Sequence, residues 1–330
     1  ECGRGVRRLI FMVCPGSQRA RSYFELVAIS AKMLLHLSVG AYSLDNAHSL
    51  NSARAPRRRV RMTAHAPSPA LSADLGEPST LYAPFAERAL ELLRDAVPLR
   101  PYAIPPELRR REGSSGRGAR AQAVRVSAEA FRSDKLRQIR LAHVQGGDSL
   151  QVLNLCIFPR LEYGLPSFAA DLVTLPGGHL IFIDCAPHAA DRRLGGDAAA
   201  LEAAHARHSL RLPDGGPIPA EAQRFFSPCF LWTRLPLSDE GNAAVRGPVF
   251  GAFEDYLRGY LAMVAAAAPL DDAAARAEVR AEQLAYATYR AEKDPARGML
   301  SRLFGAEFTE RLIDEVLFDL PRAIAAGGEL

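Results

Sequence analysis

Cysteine is scarce and scattered in this sequence. Cys2, Cys14, Cys156, Cys185 and Cys229 are odd in number, and no two of them have the spacing of a redox or zinc pair. A disulfide framework and a thiolate zinc site are therefore not what organises the chain. Iron–sulfur clusters are held by grouped thiolates, typically four, so any electrons the protein handles are expected from outside. No apolar run is long enough to cross a bilayer; the longest, residues 28–42, is interrupted by Lys32 and His36. A Rossmann glycine fingerprint is missing as well. Gly113-Ser-Ser-Gly-Arg-Gly118 resembles a phosphate loop only faintly, since it follows no expected strand and lacks the Lys-Ser/Thr of a P-loop. A nicotinamide or flavin dehydrogenase has no anchor here, and residues 110–120, rich in Gly, Ser and Arg, read as a flexible loop.

Positive charge is also unevenly supplied. The formal net charge is +4, but residues 1–65 hold 11 Lys and Arg against 3 Asp and Glu, which leaves the rest of the chain mildly acidic. A basic, Arg/Ser/Ala-rich leader on an acidic body argues against nucleic-acid binding and for a targeting segment. Residues 1–66 are expected to be a plastid-targeting leader, with a short apolar part followed by an acid-poor part, and residues 67–330 the functional domain.

What is present reads as α+β. Residues 81–97 carry apolar side chains at helical spacing, followed by a proline-rich connection. Strand-like segments then crowd together at 123–126, 136–144, 150–158, 168–175, 179–184 and 230–235, with tight turns at Gly146-Gly147-Asp148-Ser149 and Pro176-Gly177-Gly178 that favour antiparallel hairpins. After Pro236 the pattern is helical, with faces at Phe253, Leu257, Tyr260, Leu261 and Val264, at Val279, Gln283, Tyr286 and Arg290, and at Leu312, Ile313, Val316 and Leu317. The expected architecture is a central antiparallel sheet with helices on both faces.

Several motifs have ordinary readings. Gly147-Asp148-Ser149-Leu150 spells an esterase signature, but the only Asp-x-x-His, Asp45–His48, lies upstream in the leader, and the C-terminal helices have no histidine. Turn chemistry accounts for the four residues. His179 and His188 flank Asp184 and Cys185, yet strand alternation puts His179 and Asp184 on opposite faces, so no metal site is expected. Two polar residues are less easily dismissed. Asn154 shares a strand face with Leu150, Val152, Cys156 and Phe158, and Asp171 shares one with Ala169 and Val173. If the strands are neighbours, the two form a shared polar pocket, and a carboxyl there has its pKa raised by desolvation, which suits a proton donor. Asp294, just before Pro295, reads on residue chemistry as a helix stop paired with Arg290.

The block Leu153-Asn-Leu-Cys-Ile-Phe-Pro-Arg-Leu-Glu-Tyr-Gly-Leu-Pro-Ser-Phe-Ala-Ala-Asp171 resembles the centre of the ferredoxin-dependent bilin reductases. The likeness continues, in the family's order, through Leu175-Pro-Gly-Gly-His-Leu180, Phe226-Ser-Pro-Cys-Phe-Leu-Trp-Thr-Arg234, Asp294-Pro-Ala-Arg297, Leu303-Phe-Gly-Ala-Glu-Phe-Thr-Glu310 and Val316-Leu-Phe-Asp319. The resemblance implies a three-layer α/β/α sandwich holding a linear tetrapyrrole between the sheet and the C-terminal helices. It also implies radical chemistry in which ferredoxin supplies single electrons and pocket acids supply protons, with no bound metal or flavin.

By the same resemblance Asp171 is the central catalytic aspartate, Asp294 the helix-borne aspartate of members that reduce the A-ring diene, and Asn154 the residue standing where the phycocyanobilin-forming branch has a histidine. Ala142 stands where that branch has a glutamate. Arg290 matches a pocket arginine, and Arg211 and Ser227 are further substrate-binding candidates. The implied reaction is 15,16-dihydrobiliverdin to phycoerythrobilin, with biliverdin to 15,16-dihydrobiliverdin, biliverdin to phytochromobilin, and a non-catalytic bilin carrier as alternatives. Implied partners are ferredoxin, docking transiently on a basic rim of Lys135, Arg137, Arg297 and Arg302, and a second bilin reductase or a lyase that takes the product. The implied setting is a monomer in the plastid stroma.

Overall fold

The computed structural model describes residues 80–327 apart from 117, 119–120, 190–193, 195–197 and 219. The leader expected at residues 1–66 lies outside the described residues. Helix α1 (Ala83–Ala96) has a proline, Pro84, in its first turn and buries Phe85, Ala86, Ala89, Leu90, Leu92 and Leu93. The chain then runs through a short strand β1 (Arg100–Pro101), a single-turn helix α2 (Pro106–Arg109) and strand β2 (Arg110–Ser115). Strands β3 (Gln122–Arg132), β4 (Leu136–Gln145), β5 (Gln151–Pro159), β6 (Ser167–Leu175) and β7 (Gly178–Ala186) follow in close succession, and β8 (Leu231–Leu235) closes the sheet after helices α3 (Ala199–Ser209) and α4 (Ala220–Gln223).

The sheet has eight strands in the order β1-β3-β4-β5-β6-β7-β8, with β2 pairing on β3 beside β1. Every pairing is antiparallel. Short turns make this inevitable: β6 and β7 are joined through Pro176-Gly177, and β4 and β5 through a turn in which Gly147 takes φ +78°, a conformation glycine tolerates and other residues resist. Ser149 sits in that turn, which is closed by the Gly146 N–H donating to the Leu150 carbonyl and the Leu150 N–H donating to the Gly147 carbonyl.

One expectation is corrected. Residues 110–115 are strand β2, fully registered on β3 from Arg110↔Ser127 to Ser115↔Gln122, where a loop was expected. The segment has little strand propensity of its own; it is held by its partner and by close packing, since a Cβ on Gly113 would lie 2.1 Å from the Leu303 carbonyl oxygen.

Helices cover both faces. On one side α1, α3 and α6 (Phe250–Ala266) pack against Leu141, Leu153, Leu155, Phe168, Leu172, Ile181 and Ile183. Helix α6 continues a shorter α5 (Asp239–Ala244) through a wider π turn at Val245–Val249 that contains Pro248. On the other side lie α7 (Ala273–Lys293), α8 (Arg297–Phe304), α9 (Ala306–Leu312), a π turn at Ile313–Leu317 and α10 (Leu320–Ala325). They bury Val124, Val126, Ala128, Ala142, Val144, Cys156 and Phe158 of the sheet. The result is the three-layer α/β/α sandwich with a central antiparallel sheet. Among the described residues, no helix is long and apolar enough to cross a membrane.

Candidate active site

The register of the sheet assembles the site. On the face turned to the C-terminal helices, Ala142, Asn154, Asp171, Phe182 and Trp232 stand side by side in one row across β4 to β8. The adjacent row runs Arg140, Cys156, Ala169 and Asp184. Asn154 and Asp171 are thus direct cross-strand partners, as strand alternation predicted they would be if their strands were neighbours. This corner of the face is open: Val152, Asn154, Asp171, Val173, Leu180, Phe182 and Trp232 are all only half-buried, whereas Leu153, Leu155, Leu172, Ile181 and Ile183 on the opposite face are sealed.

The carboxyl of Asp171 is held above its ordinary value of 3.8. Burial among apolar neighbours is the main cause and the negative charge of Asp294 adds to it, while Arg290, a hydrogen bond from Asn154 and Arg140 act in the other direction. Cys156 beneath it is a buried thiol whose pKa is likewise pushed up by desolvation.

Helix α7 brings the remaining groups. Asp272 caps its start, accepting from the backbone N–H of Ala274 at 3.1 Å and of Ala275 at 3.2 Å. Three and a half turns on, Tyr286 packs its ring against Phe158, Phe225 and His188, and its hydroxyl is pushed up to about 12 by burial. Arg290 follows one turn later on the same face. Burial alone would weaken its charge, but Tyr286, Asp294, Asp171 and Cys156 outweigh burial and hold it firmly protonated. Asp294 ends the helix because Pro295 cannot continue it, and its Oδ1 accepts the N–H of Ala296 at 2.7 Å. The helix-stop reading of Asp294 is thus correct as geometry, and the same carboxylate is close enough to act electrostatically on Asp171, Arg290 and Cys156.

Arg140 is a member that sequence reasoning missed. It is fully buried in mid-strand, and its Nη1 donates to Asn154 Oδ1 at 2.6 Å. The Phe318 ring lies close to both cations, 5.8 Å from the Arg140 guanidinium and 5.4 Å from that of Arg290. Phe318 is fixed by the π turn before it, whose Val316 carbonyl accepts from Gln138 Nε2 at 3.1 Å, tying the helical layer to β4.

Other expected residues go elsewhere. Arg211 is exposed just beyond α3, whose buried Leu201 and Ala204 belong to the opposite core, so it does not join this group. The Ser227 hydroxyl and backbone N–H both donate to the carboxylate of Asp184, the N–H at 3.0 Å, so Ser227 shapes the site's edge through Asp184. His188, whose Nε2 lies 2.7 Å from Ser167 Oγ, is pushed down to about 3 by burial and is neutral. His179 lies on the far face, bonded to Thr174, which in turn meets Tyr82.

The basic rim is also corrected. Lys135 donates to the carbonyls of Val264, Ala265 and Ala267 at the end of α6, and Arg137 is buried and paired with Asp319 at 2.9 Å. Arg297 binds Glu310 and the Ala291 carbonyl, which leaves Arg302 as the exposed cation of the four. Sequence shows their charge but not which of them the fold consumes.

An open sheet face carrying a carboxyl of raised pKa, a second carboxylate, the buried Arg140 and the half-buried Arg290 suits a large, polar, conjugated ligand that must be protonated in place. Comparison with known proteins points the same way. The family model for ferredoxin-dependent bilin reductase matches residues 86–319. A phycoerythrobilin:ferredoxin oxidoreductase of Nostoc punctiforme is 47% identical over 253 residues, covering 74% of this chain and 95% of its own length. Another from Gloeobacter violaceus is 49% identical over 251 residues, covering 74% and 97%. Among solved structures, that of phytochromobilin synthase from tomato in complex with biliverdin superposes with a TM-score of 0.63 at 29% identity, covering 73% of this chain and 84% of that one. The chain belongs to the ferredoxin-dependent bilin reductase family and is an oxidoreductase of that type.

Proposed function

We propose that this reductase converts 15,16-dihydrobiliverdin to phycoerythrobilin, taking two electrons one at a time from reduced ferredoxin and two protons from the open face of the sheet. The observation that carries the reading is the position of Asp171, a carboxyl of raised pKa at the centre of that face, directly beside Asn154. A conjugated tetrapyrrole is a better electron acceptor once protonated, so an acid whose pKa is raised by burial both activates the pigment and replaces the proton that reduction consumes. Asp294, across from it at the end of α7, is assigned the second proton, at the A-ring diene. Arg290, held charged between the two acids, keeps the substrate oriented and stabilises negative charge as electrons arrive. The names of the relatives at 47% and 49% identity support phycoerythrobilin as the product.

The reading extends to the cell. Electrons pass from ferredoxin to the bound bilin without a bound cofactor between them, in keeping with the scattered cysteines. Arg302 contributes to the docking surface for acidic ferredoxin. The basic leader delivers a monomeric enzyme to the plastid stroma, where a partner reductase or lyase exchanges pigment with it.

The test is to supply the purified protein with reduced ferredoxin and either biliverdin or 15,16-dihydrobiliverdin and to resolve the products by chromatography. Phycoerythrobilin from dihydrobiliverdin alone is the expected result. Conversion of biliverdin would overturn the regiochemistry, and turnover of neither pigment would sink the reductase reading.

A further inference from the structure

Phe318 faces both cations of the site, and hydrogen bonds alone locate neither of them. Arg140 engages only Nη1, on the Asn154 amide oxygen at 2.6 Å, while its Nε and Nη2 are buried without a hydrogen-bond partner. The Nε of Arg290 is buried in the same condition. The ring centre lies 5.8 Å from one guanidinium and 5.4 Å from the other, so the ring does much to set where they stand. Arg140 comes from β4 and Arg290 from α7, which makes Phe318 the spacer between sheet and helical layer at this point.

The groups that hold this ring come from other elements. Phe318 follows the π turn Ile313–Leu317, with its N–H on the Ile313 carbonyl at 2.9 Å. Two residues before it, the Val316 carbonyl accepts from Gln138 Nε2. One residue after it, the Asp319 carboxylate accepts from Arg137 Nη1 at 2.9 Å and from the Tyr102 hydroxyl. Burial first, and then the charge of Asp319, raises the Tyr102 phenol well above its ordinary value, so it remains a donor. Tyr102 is itself hung on β3, its N–H bonded to the Ala130 carbonyl at 3.0 Å. An ion pair as buried as Arg137–Asp319 adds little net stability, because desolvation offsets much of the attraction.

We propose that Tyr102, Asp319 and Arg137 form a positioning clip, which fixes Phe318 and through it the spacing of Arg140 and Arg290 about the bound pigment. The inference rests on the bilin reductase reading. Tyr102 acts from a distance: with Asp319 it lines a surface cleft of about 460 Å³, shared with Pro105, Arg132 and Arg322, beside the short edge strand β1. The competing role is a purely structural one, in which the clip ties α10 to the sheet and the site is indifferent to it.

The experiment is a double-mutant cycle in the full chain: Tyr102→Phe, which removes one hydroxyl, Phe318→Ala, and the two together. Each is read by its denaturation midpoint, by the visible band of the bound pigment, and by kcat and KM with reduced ferredoxin. The pigment is whichever of biliverdin and 15,16-dihydrobiliverdin the wild type turns over. Tyr102→Phe is expected to lower kcat about tenfold with KM little changed and to shift the band, short of the roughly 10²-fold that a 1 Å misplacement can cost. In the Phe318→Ala background the same change should cost kcat less than about twofold and leave the band in place, although the midpoint still falls. A lower midpoint with kcat and band unchanged in Tyr102→Phe would overturn the proposal and leave the clip structural. A tenfold loss that persists without the ring would overturn it too, since the hydroxyl would then act by another route. If Phe318→Ala does not fold, Phe318→Leu, which loses the flat ring and keeps an apolar side chain, takes its place with the same loss of coupling expected. Turnover by wild type reports on the bilin reductase reading separately, so the two can fail independently.

Discussion

The two faces of the sheet are built from the same strands and do opposite things. Toward α1, α3 and α6 the residues alternate into a sealed apolar layer in which Leu155, Phe168, Leu172, Ile181 and Ile183 have no exposure. Toward α7–α10 the same strands present Asn154, Asp171, Arg140, Cys156 and Asp184, partly roofed by helices and partly open. The closed face supplies stability through burial, and the open face uses that stability to hold groups the fold would otherwise expel: a desolvated acid and a guanidinium with unused donors. Rigidity on one side is what makes strain tolerable on the other.

Substitutions should separate the faces cleanly. The largest effect is expected from Asp171→Asn, which keeps shape and a hydrogen bond but removes the acidic proton: turnover should fall by about 10²–10⁴-fold while pigment binding persists. A carrier protein would be indifferent to the change. On the closed face Ile183→Ala should cost about 2–5 kcal/mol of stability, read as a lower denaturation midpoint, with turnover per folded molecule unchanged. Asp294→Asn divides two roles on one residue. Asparagine keeps the oxygen that accepts from Ala296, so a loss of about 100-fold in turnover, at the low end for a general acid, assigns Asp294 to proton transfer, and a silent change leaves it a helix stop. Smallest of all, Arg302→Ala should raise the KM for ferredoxin only a few-fold, by about 1 kcal/mol or less, and the effect should vanish at high salt.

Much of this contrast was legible in the sequence, and the parts that were not share a cause. Period-two alternation singled out Asn154 and Asp171 before any pairing was known, because each is a polar residue on an otherwise apolar strand face. Strand β4 hid its secret: in Leu136–Gln145 polar and apolar residues fall on both faces, and nearly all are buried, so Arg140 could not be told from a solvent-facing arginine. Its burial depends on α7–α10, elements more than a hundred residues away. The same distance effect misled the reading of Lys135 and Arg137 as a docking rim, since α6 and Asp319 provide their partners, whereas residues 110–115 read as a loop because their Gly/Ser/Arg composition does not announce the pairing with nearby β3. Local pattern reports what a segment prefers; it does not report which charges the tertiary structure will absorb.

The central claim is that the open face holds the pKa of the Asp171 carboxyl above that of an ordinary aspartate. Its folded pKa is raised above the ordinary 3.8, so its contribution to stability is fully present below that value and is lost as pH rises through the folded pKa. Proton donation should decline over the same upper range. The direct measurement is an infrared pH titration of the folded enzyme, with Asp171→Asn as the reference for assigning the band. The prediction is a protonated-carboxyl stretch that belongs to Asp171, persists well above pH 3.8 and disappears together with kcat as pH rises. An Asp171 carboxyl already ionised at pH values near 3.8, with turnover unaffected, would contradict it.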